Sequence, residues 1–192
     1  MQLHDTGRRP RRGTAERDTM PKPLILEPFR RTAEDARRFA FEVHKAQTDK
    51  TGKPYTDHLV RVQGRLVDKL CTLPETQWDE VFQIAWLHDV IEATAYTAKD
   101  LRAEGFSANV VMSVDDLTRD PADDSPYMDW IGRIAQFGDL PLILVKLSDN
   151  EDDADPARLA LLPEHDRERL AAKFEQSMPV LRAAARVRGW TP

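Results

Sequence analysis

The chain has 192 residues, 41% hydrophobic and 32% charged, which suits one globular domain with a sizeable core. Its 28 Lys and Arg against 33 Asp and Glu give a net charge of −5, which argues against the domain as a nucleic-acid binder. No run approaches the roughly 18 apolar residues of a membrane span, and the lone Cys71 rules out an intrachain disulfide, so no membrane partner and a cytoplasmic location are expected.

Residues 1–28 differ from the rest: Arg8, Arg9, Arg11, Arg12 and Arg17 stand among Gly, Thr, Pro and Asp with no apolar period, the composition of a disordered basic tail. Met20 is an alternative start. Residues 29–192 are expected to form the folded domain.

From Thr32 the signals are helical. Thr32 and Asp35 make a capping box opening a helix from Ala33 to about Gln47, with Ala36, Phe39, Ala40 and Val43 at helical spacing. A polar turn over 48–54 precedes a second helix that starts at His58 and carries the stripe Leu59, Val62, Leu66 and Leu70. A third, from about Trp78 to Ile91, puts Val81, Ile84, Ala85, His88 and Ile91 on one face. Thr97 with Asp100 caps a short helix ending at Gly105, Ser107 caps the next through Leu117, and Ser125-Pro126 opens another. Pro141 starts a helix that reaches Asp149, and Pro163 a last long one in which Pro179 is a candidate kink. No stretch alternates with period two, so the predicted fold is all-α, a helical bundle.

An adjacent imidazole and carboxylate inside an apolar segment are expensive to bury without a partner, and His88-Asp89 is such a pair. Taken alone it fits a core histidine satisfied by backbone carbonyls beside an exposed aspartate. His58 and Asp149, each at the edge of an apolar stretch, and Glu92 one turn after His88, turn the reading towards a divalent metal held by His58, His88, Asp89 and Asp149. Nitrogen and carboxylate donors without cysteine suit an open, water-bearing ion able to activate water and polarise a phosphoryl oxygen. Glu92 is then a candidate base and Lys146 a candidate charge stabiliser, able also to pair with Asp153. Lys50, Thr51 and Lys53, on a glycine-containing turn, are candidate phosphate contacts, though such turns are often only solvated. In the acidic run Glu151-Asp152-Asp153, the first two read as a solvated helix end, whereas Asp153 shares the face of Asp149.

Four ordered motifs carry a resemblance over about Thr32 to Phe174. They are His44-x-x-Gln47 with Lys50-Thr51-Gly52-Lys53-Pro54-Tyr55-x-x-His58, then Leu87-His88-Asp89-Val90-Ile91-Glu92-x-Thr94, then Leu117-Thr118-Arg119 with Tyr127, and Val145-Lys146-Leu147-Ser148-Asp149. The set resembles the HD phosphohydrolases, specifically the hydrolase domain of RelA/SpoT-type alarmone enzymes and the small stand-alone alarmone hydrolases. The resemblance implies an HD-domain bundle with one metal, commonly manganese, on His58, His88, Asp89 and Asp149. It also implies Glu92 in water activation, Tyr127 at the substrate, and His44 behind the ligands; Asp153 is placed at the substrate by its face alone. The expected activity is release of phosphate or pyrophosphate from a small-molecule nucleotide, a (p)ppGpp-type alarmone leading, without a synthetase domain. A homo-oligomer is compatible with this.

The chain departs from that family at four positions, two of them Asn150 and Asp153, where the family has Arg after the metal-binding Asp and Asn four residues after it. Ala93 stands where a second acid is usual, and Asp49 where an arginine stacks on guanine, so poorer use of guanosine tetraphosphate and a gain from Asp49→Arg are expected. A nucleotide-binding sensor that has lost turnover, and a helical interaction module using the basic tail, are the rival readings.

Overall fold

A computed structural model describes residues 30–192; the basic tail lies outside the described residues. Among the described residues there is no β-strand, only an isolated antiparallel bridge between Thr48 and Pro54 that closes the loop before the second helix. The elements are α1 (Ala33–His44), α2 (Tyr55–Val67), α3 (Glu75–Leu87), α4 (Val90–Ala93), α5 (Ala98–Ala103), α6 (Ala108–Leu117), α7 (Tyr127–Phe137), α8 (Leu140–Asp153), α9 (Pro156–Leu159) and α10 (Glu164–Val187). No described helix is long and apolar enough to cross a membrane.

The polar start signals act as the sequence implies. Thr32 and Asp35 exchange both bonds of a capping box, as do Thr97 and Asp100, and Ser107 accepts from the amide of Val110. Gly105, at φ +92°, takes the left-handed conformation that ends the segment after α5. α10 runs on through Pro179; the residue whose carbonyl loses its donor there, Glu175, is exposed, as is Pro179 itself.

Other boundaries differ. α1 ends at His44, because the chain turns there to place Gln47, whose carbonyl accepts from the amide of Tyr55. α2 begins three residues before His58, with Pro54 fixing its entry. Asp139 caps α8, one residue ahead of the expected start, and Pro126 occupies the cap position of α7 rather than its first turn. The largest difference is a break in the predicted third helix. α3 stops at Leu87, Asp89 sits at φ −106°, ψ 0°, and α4 restarts at Val90. Neither glycine nor proline marks this break; the side-chain partners of Asp89 impose it.

α8 is the axis of the bundle. It packs against α10, α2 and α3, and from Leu142 to Asp152 nine of its residues are buried, so it reads as a core helix wrapped on all sides. Leu59 and Leu66 of α2 and the buried α3 residues Ile84, Ala85 and Leu87 share one core with it, bringing His58, His88 and Asp149 to one depth. A second small core of Leu159, Leu170 and Phe174 seats α9 on α10.

Leu147 is fully buried on α8. Leu147→Ala is expected to cost about 2–5 kcal/mol through the cavity it leaves, read as a lower urea midpoint with an unchanged m-value.

Candidate metal centre and cleft

His58 from α2, His88 and Asp89 from the α3–α4 break, and Asp149 from α8 converge. Nε2 of His58 lies 3.4 Å from Oδ1 of Asp149 and 3.7 Å from Oδ2 of Asp89. Nε2 of His88 lies 3.1 Å from Oδ2 of Asp89 and 3.7 Å from Oδ1 of Asp149. His58, His88 and Asp149 offer donor atoms all within 4.8 Å of one another. The backbone break explains how neighbouring residues share this point: on a continuous helix their side chains would diverge by about 100°, whereas the turn at Asp89 swings its carboxylate back beside His88.

Both imidazoles are aimed from behind. Nδ1 of His88 donates to the carbonyl of Ala85 at 2.8 Å, and Nδ1 of His58 donates to Oδ2 of Asp152 at 2.8 Å, which leaves each Nε2 facing the carboxylates. Asp152 is fully buried, contrary to its expected place on a solvated helix end, and Arg61 (2.8 Å), Arg158 (2.5 Å) and Arg65 (3.5 Å) surround it. Burial disfavours its charge, but His58, Arg61 and Arg158 outweigh that and hold the carboxyl down to about 2. On the other side, the Tyr55 hydroxyl donates to Oδ2 of Asp89, and buried His44 stacks on Tyr55 at 4.9 Å with its Nδ1 against Gln47.

The electrostatics call for positive charge at the centre. Burial lowers the pKa of His88, yet Asp89 and Asp149 overcome it and hold the imidazole up to about 10; His58 is likewise raised against its burial by Asp149, Asp152 and Asp89. Burial would raise both carboxyls, but Lys146 and the imidazoles take Asp149 well below the usual range, and His88 and His58 do the same for Asp89. Although Oδ2 of Asp89 is 3.1 Å away, the buried Nε2 of His88 makes no hydrogen bond, since the oxygen lies off the direction of an N–H. A cation among the four atoms satisfies this arrangement better than a proton on the nitrogen does. Four donors at about 2.1 Å from a tetrahedral ion stand about 3.4 Å apart, close to the four imidazole–carboxylate separations, so the residues fit a divalent metal.

The cluster lies at one side of a cleft of ≈ 350 Å³ whose walls include Lys50, Glu92, Arg119, Tyr127, Lys146, Asp153, Arg158 and Lys173. Glu92 is exposed at the rim and accepts from the amide of Arg119 at 3.3 Å. Lys146 pairs with Asp149 at 2.7 Å, not with Asp153, and lies 4.6 Å from the Trp130 ring centre. Tyr127 donates to Asn150, and Asp153 pairs with Arg158 at 2.9 Å. Thr51 lines a small neighbouring crevice with Leu159, Leu162 and Leu170, whereas Lys53 is exposed and is not among the residues lining the cleft. Nothing local marks Asp152, Arg158 or Lys173 for this site: Asp152 lies 94 residues from His58 and Arg158 109 from Asp49, and a long-range contact leaves no trace in local spacing.

No family model matches the chain. Among solved structures it is similar to one described as a metazoan orthologue of SpoT that hydrolyses ppGpp and plays a role in starvation responses. The two share 22% identity with a TM-score of 0.59, over 82% of this chain and 95% of that one. That likeness shows the fold, an all-α bundle.

Proposed function

We propose that the chain is a metal-dependent phosphohydrolase that removes phosphate or pyrophosphate from a nucleotide, a (p)ppGpp-type alarmone being the leading substrate. The observation that carries this reading is the meeting of two imidazoles and two carboxylates at a cleft whose walls bear Lys50, Lys146, Lys173, Arg119 and Arg158. The described ppGpp hydrolysis by the metazoan SpoT orthologue of the same fold supports the alarmone class. The donor set suits manganese among the borderline ions, and the net charge of −5 favours a small-molecule partner over a nucleic acid.

His58, His88, Asp89 and Asp149 would hold the ion, oriented by Asp152, Ala85 and Tyr55. When bound, the ion would lower the pKa of a water and polarise a phosphoryl oxygen. Glu92 would accept a proton from the attacking water as the water oxygen bonds to phosphorus and the P–O bond to the leaving group breaks, and would pass that proton on to the leaving oxygen. Lys146 steadies Asp149 and lends charge to the site, while Arg119 and Lys50 face the incoming phosphate. The second reading, a nucleotide-binding sensor, is favoured by Ala93, an exposed alanine that offers no acid beside Glu92.

Asp49 does not act as the sequence suggested. Its side chain is 4% exposed and pairs with Arg158 at 3.1 Å. It also accepts from the amide and hydroxyl of Thr51 and the amide of Lys53, at 2.8, 2.6 and 3.1 Å, so it holds the loop instead of facing a base. The gain expected from Asp49→Arg is therefore withdrawn. A guanidinium there would face Arg158 and Arg61 and strand the loop donors at about 1–3 kcal/mol each. Asp49→Arg should lower the melting temperature and kcat/KM on guanosine tetraphosphate together; a stable variant with improved turnover would contradict this role.

The function is tested by elemental analysis of purified protein followed by a manganese-dependent phosphate-release screen over nucleotides. Asp89→Asn is expected to cut metal affinity by more than ~100-fold with helical circular dichroism preserved; an unchanged metal stoichiometry would sink the assignment. Glu92→Gln should retain metal and lose on the order of 10²–10⁴ in kcat. Nucleotide binding without turnover by the wild type would transfer the assignment to the sensor reading.

A further inference from the structure

Gln83, 3% exposed on α3, grips the start of the described chain: its Nε2 donates to the carbonyl of Arg31 at 2.9 Å and to Asp79 at 2.8 Å. Its buried Oε1 has no donor among the described residues. Gln83 lines a cavity with Arg30, Glu80 and Asn109. Glu80 and Asn109 also line a second cavity, with Val81 and Ile84 buried beneath it and Met112, 59% exposed, beside them. A third follows along α6, lined by Asp115, Asp116, Asp120 and the exposed Phe137. Asp123 there is held by Arg133, whereas Asp115, Asp116 and Asp120 have no basic group within ion-pair distance among the described residues. Burial, with Asp115 and Asp139 nearby, pushes the Asp116 carboxyl up. The three cavities make one groove along α6, apolar near Arg30 and acidic at its far end.

The sequence leading into Arg30 has its chemistry in the same order. Leu24-Ile25-Leu26 and Phe29 come next to it, and Arg17, Arg12, Arg11, Arg9 and Arg8 farther back. The 13 residues from Arg30 back to Arg17 reach about 45 Å when extended. The helix from Asn109 to Asp116 needs only about 10 Å. We propose that residues 8–29 dock along this groove of their own chain. Leu24-Ile25-Leu26 cover Val81, Ile84 and Met112, a backbone amide of the segment donates to Oε1 of Gln83, and the arginines meet Asp115, Asp116 and Asp120. Apolar burial holds the near half, and charge attraction that salt weakens holds the far half. α6 runs on into the turn whose Arg119 amide holds Glu92, so the docked segment braces one wall of the cleft.

Glu27→Cys with Ser113→Cys, in a Cys71→Ser background, tests this on the full chain, because Ser113 lines the groove and neither change removes an apolar contact. Glu27→Cys with Arg102→Cys is the comparison. Arg102 is exposed on α5, close to the Glu104 that Arg31 holds, and lines none of the three cavities. Under mild oxidation the first pair should close a disulfide within the monomer about tenfold faster than the second. Leu24→Ser, Ile25→Ser and Leu26→Ser together should erase that difference. Hydrogen exchange, read on chains without added cysteines, should show the amides of α6 exchanging about fivefold or more faster once those three changes are made. Equal closure of the two pairs, closure only between two copies of the chain, or α6 exchange indifferent to the serine changes overturns the docking.

Discussion

Two carboxylates, Asp149 buried and Asp89 half-buried, set against two buried imidazoles govern the rest of this molecule. Such a group is unstable in a dry interior unless positive charge sits inside it and each outward-facing polar atom is matched. The surroundings meet that demand in layers. Lys146 closes on Asp149, Tyr55 on Asp89, a backbone carbonyl on His88 and Asp152 on His58. Asp152 in turn is a fully buried charge and needs Arg61, Arg65 and Arg158 around it. One ionic requirement at the centre of the bundle thus fixes residues on α2, α8 and α9.

The same requirement explains why the helix break at His88-Asp89 escaped the sequence. Local propensity and the apolar period both favour a continuous helix through Ile91, and no breaker residue contradicts them. The turn is imposed by tertiary contacts, which a periodic pattern does not record. Capping boxes at Thr32 and Thr97 were legible because both partners lie within three residues, and the apolar stripes of α1 to α3 because burial follows the helical period.

Readability of the site follows the same division. His58, His88, Asp89 and Asp149 stood out as polar residues in apolar settings, and the fold brings all four together. Asp152 looked like its solvated neighbours, since nothing local tells a buried aspartate from an exposed one; only the arginines from α2 and α9 make the difference. Asp49 was read by its position in a motif, yet its own loop and Arg158 claim both carboxylate oxygens.

Arg158 ties three segments with one side chain: the 48–54 loop through Asp49, the C-terminal turn of α8 through Asp152 and Asp153, and α9, from which it projects. α9 itself is a single turn seated on a three-residue core, the kind of element that opens in hydrogen exchange well below the global unfolding energy. Because the guanidinium moves with it, a local opening over 154–163 would release the loop at the cleft mouth and loosen the aspartate that aims His58 in one event. The mouth of the cleft and the aspartate behind its floor are thus joined through one side chain, on a helical turn that Leu159, Leu170 and Phe174 hold in place.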